Sequence, residues 1–179
     1  MFNFEHLSTV RVDACGDVVW KLPNLGHHSV HLEDDGTIWV SAERHFVDGP
    51  TGFPGHDSPL NSWTIQEIGP DGTIRSDVAV IALLLENDLL GLLYLSSIER
   101  DPRVEGDTLH LNDVEIFPDG MESEGFEAGD VMVSLRNINT ILVFDGDDHR
   151  VKFQSTGRFL RQHDPDFIGG DRILVFDNR

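Results

Sequence analysis

Nine histidines stand among the 179 residues, and several of them open short blocks of similar design. His110 begins H-L-N-D-V-E-I-F, His163 lies in Q-H-D-P-D-F-I-G-G, and His27 and His28 begin H-H-S-V-H-L-E-D-D-G. Each block leads through a glycine turn into an apolar strand: G-D-V-M-V-S-L-R-N, D-R-I-L-V-F-D-N and T-I-W-V-S respectively. A neutral imidazole near pH 7 is a nucleophile, a proton carrier or a metal ligand. Arg136 ends V-M-V-S-L-R, where a guanidinium either snorkels to the surface or forks an oxyanion such as sulfate, phosphate or carboxylate. Asn112 and Asp164 follow His110 and His163 closely, as turn formers or as groups that orient an imidazole. A single strand histidine is ordinarily a hydrogen-bonded edge or core residue. Recurrence at one place in a repeat is what singles these out.

Strand parity aligns the copies, because residues two apart share a face. His110 has the parity of Val114 and Ile116, His163 that of Phe167, and His28 that of Val30 and Leu32. Parity therefore selects His28, His110 and His163 as equivalents, with His27 as the alternative to His28. An internal repeat built on strands suggests a β-propeller, in which the first strand of each blade lies nearest the axis. Three such histidines would face one central pocket.

The elements that must position them are mostly strands. Alternating segments at 8–14, 18–21, 29–32, 37–42, 63–68 and 73–77 pair around G-D, D-D-G and P-D-G turns. Residues 114–117 pair with 131–135, residues 140–144 with 150–154, and 173–176 closes the series. Asp145 to Asp148 (D-G-D-D) lacks the spaced ligands of an EF-hand and reads as a hairpin turn. Two insertions interrupt the pattern: a Gly/Pro/His-rich loop over about 43–62 and a leucine-rich helix over about 78–98, capped by Ser76-Asp77 and weakened or split by Gly91. The expected fold is all-β: a single partial β-propeller domain over 1–179 of about three blades with one inserted helix. The chain enters on the last two strands of one blade and stops after the first two of another. A propeller needs four to eight blades to close, so the remainder is expected from a longer protein, of which this is a fragment, or from other copies in a homo-oligomer.

Composition narrows the partners. A net charge of −19 repels phosphate backbones and argues against nucleic acid. Glu86, Asn87 and Asp88 interrupt the leucine-rich stretch and argue against a membrane span. The one cysteine, Cys15, allows no intramolecular disulfide and reads as a small buried hydrophobe.

The blocks H-L-N-D-V, S-L-R-N-I-N-T-I-L-V-F-D, Q-H-D-P and L-V-F-D-N-R, with G-D-V-V-W-K-L-P, H-H-S-V-H-L and D-G-T-I-W-V upstream, together resemble the arylsulfotransferases. The resemblance implies a six-bladed propeller that moves a sulfuryl group from an aryl sulfate to a phenol through a sulfated histidine, with no nucleotide sulfate donor and no cofactor. It implies His163 as the nucleophile, His110 and Arg136 as the groups that neutralise the sulfuryl oxygens, and His28 as a further channel histidine. Asn112, Asp164 and His27 would assist in substrate binding. An extracytoplasmic, periplasmic location also follows from the resemblance, although the chain shows no signal peptide and no paired cysteines. The alternatives are a non-catalytic binding module on the same scaffold and a zinc hydrolase with the three histidines as ligands. Arg136 disfavours the latter, since a fixed cation repels a metal unless an anion lies between them.

Overall fold

Alternation of apolar and polar residues, punctuated by turn-forming Gly, Asp and Pro, builds a chain of sheets. The computed structural model describes residues 1–46, 56–95 and 104–179, and these form four sheets, antiparallel apart from one short parallel addition. The first holds β1 (Phe2–Phe4), β2 (Ser8–Val12) and β3 (Val18–Leu22). The second holds β4 (Gly26–Leu32), β5 (Ile38–Phe46), β6 (His56–Ile68) and β7 (Ile74–Ala79). Helix α1 (Val80–Glu86) follows, and β8 (Val104–Gly106) adds to β6 in parallel. The third sheet is β9 (Leu111–Ile116), β10 (Val131–Leu135), β11 (Thr140–Phe144) and β12 (Val151–Thr156); the fourth is β13 (His163–Phe167) with β14 (Ile173–Phe176).

Parity places three apolar layers between successive sheets. In the third sheet Val131, Val133, Leu135, Leu142 and Phe144 face Trp63, Ile65 and the α1 leucines. Their neighbours Met132, Ile141 and Val143 face the opposite way, against Phe117, Phe126 and Phe167. All ten residues of β10 and β11 are consequently buried, as expected for strands covered on both faces. Ile38, Val40 and Ile68 pack toward Trp20, Leu22 and Val30 of the neighbouring strands.

The first strands of the second, third and fourth sheets lie side by side. His31 meets Glu115 at 2.7 Å between β4 and β9, and Asn112 donates to the Gln162 carbonyl at 2.8 Å between β9 and the start of β13. On the other flank Asn3 of β1 donates to the Ser29 carbonyl at 3.2 Å. Gly26 permits that approach: a Cβ there would lie 2.6 Å from Asn3 Oδ1 and 2.7 Å from Thr9 Oγ1.

Several expectations are corrected. The first sheet has three strands rather than two, because Phe2–Phe4 pairs with β2. The insertion over 43–62 is largely strand: β5 and β6 continue into it with His45 opposite Asn61 and Phe46 opposite Leu60, and only 47–55 lie outside the described residues. Asp77 does not cap a helix. It is paired with Gln66 in the β6–β7 ladder and its carboxylate holds Arg44, so the strand runs on to Ala79 and α1 starts at Val80 without a side-chain cap. The helical stretch does break, but ahead of Gly91: Asn87 ends α1, Asp88 takes φ +57°, and a 3-10 turn follows over Leu90–Tyr94. Residues 96–98 of the expected helix lie outside the described residues. Cys15 is exposed in the β2–β3 turn, its amide bonded to Asp13. The D-G-D-D segment is a hairpin turn in which Asp145 Oδ1 accepts the amides of Asp147 and Asp148.

Candidate functional site

Each of the three adjoining first strands begins with an irregularity. On β4, His27 lies opposite Ser41 but Val30 opposite Val40. On β9, Leu111 lies opposite Leu135 and Asp113 opposite Ser134. On β13, His163 lies opposite Phe176 and Asp166 opposite Leu174. Within or beside each bulge a histidine or aspartate adopts left-handed backbone: His28 (φ +52°), His110 (φ +52°) and Asp164 (φ +49°). Such conformations cost on the order of 1–3 kcal/mol and concentrate at sites where side chains are re-aimed. The bulges on β9 and β13 add one residue and reverse parity, whereas that on β4 adds two and keeps it, so parity does not make His28, His110 and His163 equivalent repeat positions. His28 and His110 share the left-handed place with Asp164. His163 precedes it, as His27 precedes His28.

The rings nevertheless meet. The His28 ring centroid lies 5.6 Å from that of His110 and 5.6 Å from that of His163. His27 sits behind them, 4.0 Å from His28, 5.0 Å from His110 and 4.8 Å from Trp63. His27 is only 2% exposed, and its Nδ1 faces the Leu111 carbonyl at 3.3 Å. Burial, then the nearby His28 and His110, push its pKa down to about 3, so it stays neutral. Burial also lowers the pKa of His28; Glu5, 3.3 Å from its Nδ1, opposes this, while His110, His163 and Arg136 add to it.

The motifs read from the sequence divide into groups that face the cluster and groups that hold it. In H-L-N-D, His110 turns its Nδ1 to the Asp107 carboxylate. Asp107 also accepts the Trp63 indole N–H at 2.9 Å; burial opposes its ionisation, but the bonds to His110 and Trp63 hold its pKa below the usual range. Leu111 enters the core, and Asp113 is buried beside Ser29. In S-L-R-N, Ser134 receives Gln162 Nε2 at 3.0 Å, and the Arg136 amide bonds the His110 carbonyl at 3.1 Å. Asn137 receives Arg136 Nη1 at 3.0 Å and donates to the Asp107 carbonyl at 2.6 Å. Arg136 Nε is buried without a partner among the described residues. In Q-H-D-P, Gln162 is fully buried and also bonds the Thr140 carbonyl at 3.0 Å, which anchors the residue next to His163.

Asn112 serves that anchor, through the Gln162 carbonyl, and its side-chain Oδ1 is buried without a partner among the described residues. Asp164 is exposed, and its charge acts on the carboxyls of Asp113 and Asp166. His163 Nδ1 lies 3.0 Å from the Arg161 carbonyl and 3.0 Å from Asn178 Nδ2. A proton on Nδ1 directed to the Arg161 carbonyl leaves the Nε2 lone pair free; acceptance from Asn178 puts the proton on Nε2 instead.

Asp107, Trp63, Glu5 and Asn178 join the histidines only in the folded chain. The spacing D-x-x-H was the available signal for Asp107; nothing local in the sequence ties Trp63 or Glu5 to the histidines.

A family model described as Arylsulfotransferase (ASST) matches residues 3–179. The chain belongs to the arylsulfotransferase family. No curated protein and no solved structure matches it. Arylsulfotransferase-type function in general follows from the match, which extends through all four sheets and the whole histidine cluster. Among the described residues no helix is long and apolar enough to cross a membrane.

Proposed function

We propose that this arylsulfotransferase transfers the sulfuryl group of an aryl sulfate to a phenol by a double displacement through His163, without a nucleotide sulfate donor. The observation that carries the reading is the placement of Arg136. Its buried Nε–H, without a partner among the described residues, belongs to a guanidinium close enough to act on the His28 ring, whose pKa burial lowers, which is a setting for an anion. In the first half-reaction the lone pair of His163 Nε2 forms an N–S bond as the S–O(aryl) bond breaks. The leaving oxygen takes the Nε2 proton of His110. The sulfo-imidazolium is stabilised by Nδ1–H donation to the Arg161 carbonyl. In the second, a phenol attacks sulfur, His110 recovers the phenolic proton, and His163 is released. Arg136 neutralises the sulfuryl oxygens while negative charge spreads over them, and Asp107 fixes the His110 tautomer so that Nε2 faces the substrate. The histidine-bearing strands belong to three neighbouring sheets, so the reaction centre lies where those sheets converge.

We further propose that the four sheets are successive sectors of a six-bladed propeller and that residues 1–179 act as one domain of it. The end sheets have three and two strands against four in the ladders between them, and Phe2, Phe4, Leu174 and Phe176 on them are 40–62% exposed. Further strands, from more of the polypeptide or from another copy, would cover these edges. An extracytoplasmic location accords with small aryl sulfates and phenols as substrates. Release of 4-nitrophenol from 4-nitrophenyl sulfate, with and without phenol, tests the reaction. Wild-type protein should show ping-pong kinetics and His163→Ala should lose transfer; release unchanged by the substitution would exclude His163 as nucleophile.

A further inference from the structure

We propose that His27, His28 and His110 form a site for one borderline transition-metal dication, zinc or copper(II), and that its occupancy blocks sulfuryl transfer. The blocking half rests on the function proposed above; the binding half does not. One ring nitrogen from each of these three residues lies within 4.8 Å of one from each of the others. Metal–imidazole bonds are about 2.0–2.1 Å long, so modest ring rotations would bring all three onto one ion. The set differs from the three histidines aligned by parity: His27 enters and His163 stays outside.

The surroundings of the rings favour ligation. His27 Nδ1 faces the Leu111 carbonyl at 3.3 Å, His28 Nδ1 faces Glu5 at 3.3 Å, and His110 Nδ1 faces Asp107. An acceptor on one nitrogen fixes the tautomer and leaves the other nitrogen's lone pair outward, the arrangement that accompanies metal-binding histidines. Three imidazoles select zinc, copper or nickel over magnesium and calcium, which take oxygen ligands. Arg136 is near enough to lower the pKa of His28 and repels a dication. The Glu5 and Asp107 carboxylates behind the rings offset that repulsion. The fourth coordination position remains for water or an anion. With His28 and His110 ligated, His110 can no longer exchange a proton with substrate.

Calorimetric titration of the whole chain with zinc, in magnesium-containing buffer that occupies the acidic surface, tests the site. One zinc per chain is expected. Asp107→Asn should weaken binding about 10–100-fold, and His28→Gln and His110→Gln at least as much, with circular dichroism unchanged. Copper(II) bound to the wild type should show nitrogen hyperfine coupling from imidazoles in its electron paramagnetic resonance spectrum, a readout that needs no variant to fold. Absence of stoichiometric binding, affinity unaffected by both histidine substitutions, or a copper spectrum without nitrogen coupling would overturn the site. Stoichiometric zinc that leaves nitrophenol transfer undiminished would overturn the blockade. Zinc binding in a chain with no transfer activity would uphold the site and overturn the sulfotransferase reading.

Discussion

Arg136 sets a positive charge near the His28 ring. Its amide is tied to His110, its Nη1 to Asn137, and its Nε is buried with no partner among the described residues; a sulfuryl oxygen would complete it. Arg136→Met should reduce kcat for nitrophenyl sulfate about 10²–10³-fold, the usual cost of one stabilising donor, with an unaltered circular dichroism spectrum. A loss below tenfold would remove Arg136 from the transfer step. Asp113 governs stability instead. Burial, with Glu115, Asp164 and Asp166 nearby, pushes its pKa up to about 7 against the Ser29 hydrogen bond. The folded chain thus holds a proton that the unfolded chain gives up near pH 4. Stability contributed by that proton is complete below the unfolded value and is lost as pH rises to about 7, each unit being worth about 1.4 kcal/mol at most. Asp166, also raised, adds to that fall, whereas His31, raised from 6.5, loses its contribution only as pH climbs above that value. Urea unfolding at pH 5 and pH 8 should show the wild type weaker at pH 8 and Asp113→Asn much less so; an equal slope in both would refute the assignment.

At the scale of elements, Asn87 joins the helical segment to the third sheet. Its Nδ2 donates to the Leu83 and His149 carbonyls, both at 2.9 Å, and its Oδ1 accepts the Val151 amide at 2.8 Å. It therefore ends α1 and clamps the start of β12. Asn87→Ala leaves those backbone groups without their partner and should cost about 1–3 kcal/mol in urea unfolding; a loss within error would show that water replaces it freely. The strands themselves were legible because alternation and turn residues are local signals: the β2–β3, β4–β5, β6–β7, β9–β10 and β11–β12 pairs all follow them. Two features were not. Leucine richness suggested a longer helix, but the carboxylate expected to cap it is held by Arg44 and Gln66, partners distant in sequence. The bulges at the starts of β4, β9 and β13 leave no local mark, since His and Asp occupy the left-handed positions where glycine would have announced them.

Across the whole molecule, the histidine rings meet because the first strands of three sheets adjoin. H-L-N-D, S-L-R-N and Q-H-D-P could be recognised in the sequence as related blocks. Their division of labour could not, because it depends on contacts between sheets: Gln162 inserts into the third sheet, Asn112 bonds its backbone, and Asp107 orients His110. His27, taken from the sequence as the alternative to His28, instead stands behind it as a buried neutral ring. We propose that this convergence makes His163 a sulfuryl acceptor. Its most direct test is to mix the protein with 4-nitrophenyl sulfate without phenol, quench in alkali to preserve phosphoramidate-like N–S bonds, and map the modified peptide by mass spectrometry. One sulfuryl group on His163, discharged when phenol is added, is the predicted result. Modification at His28 or His110 instead, or nitrophenol release with no sulfated histidine, would contradict it.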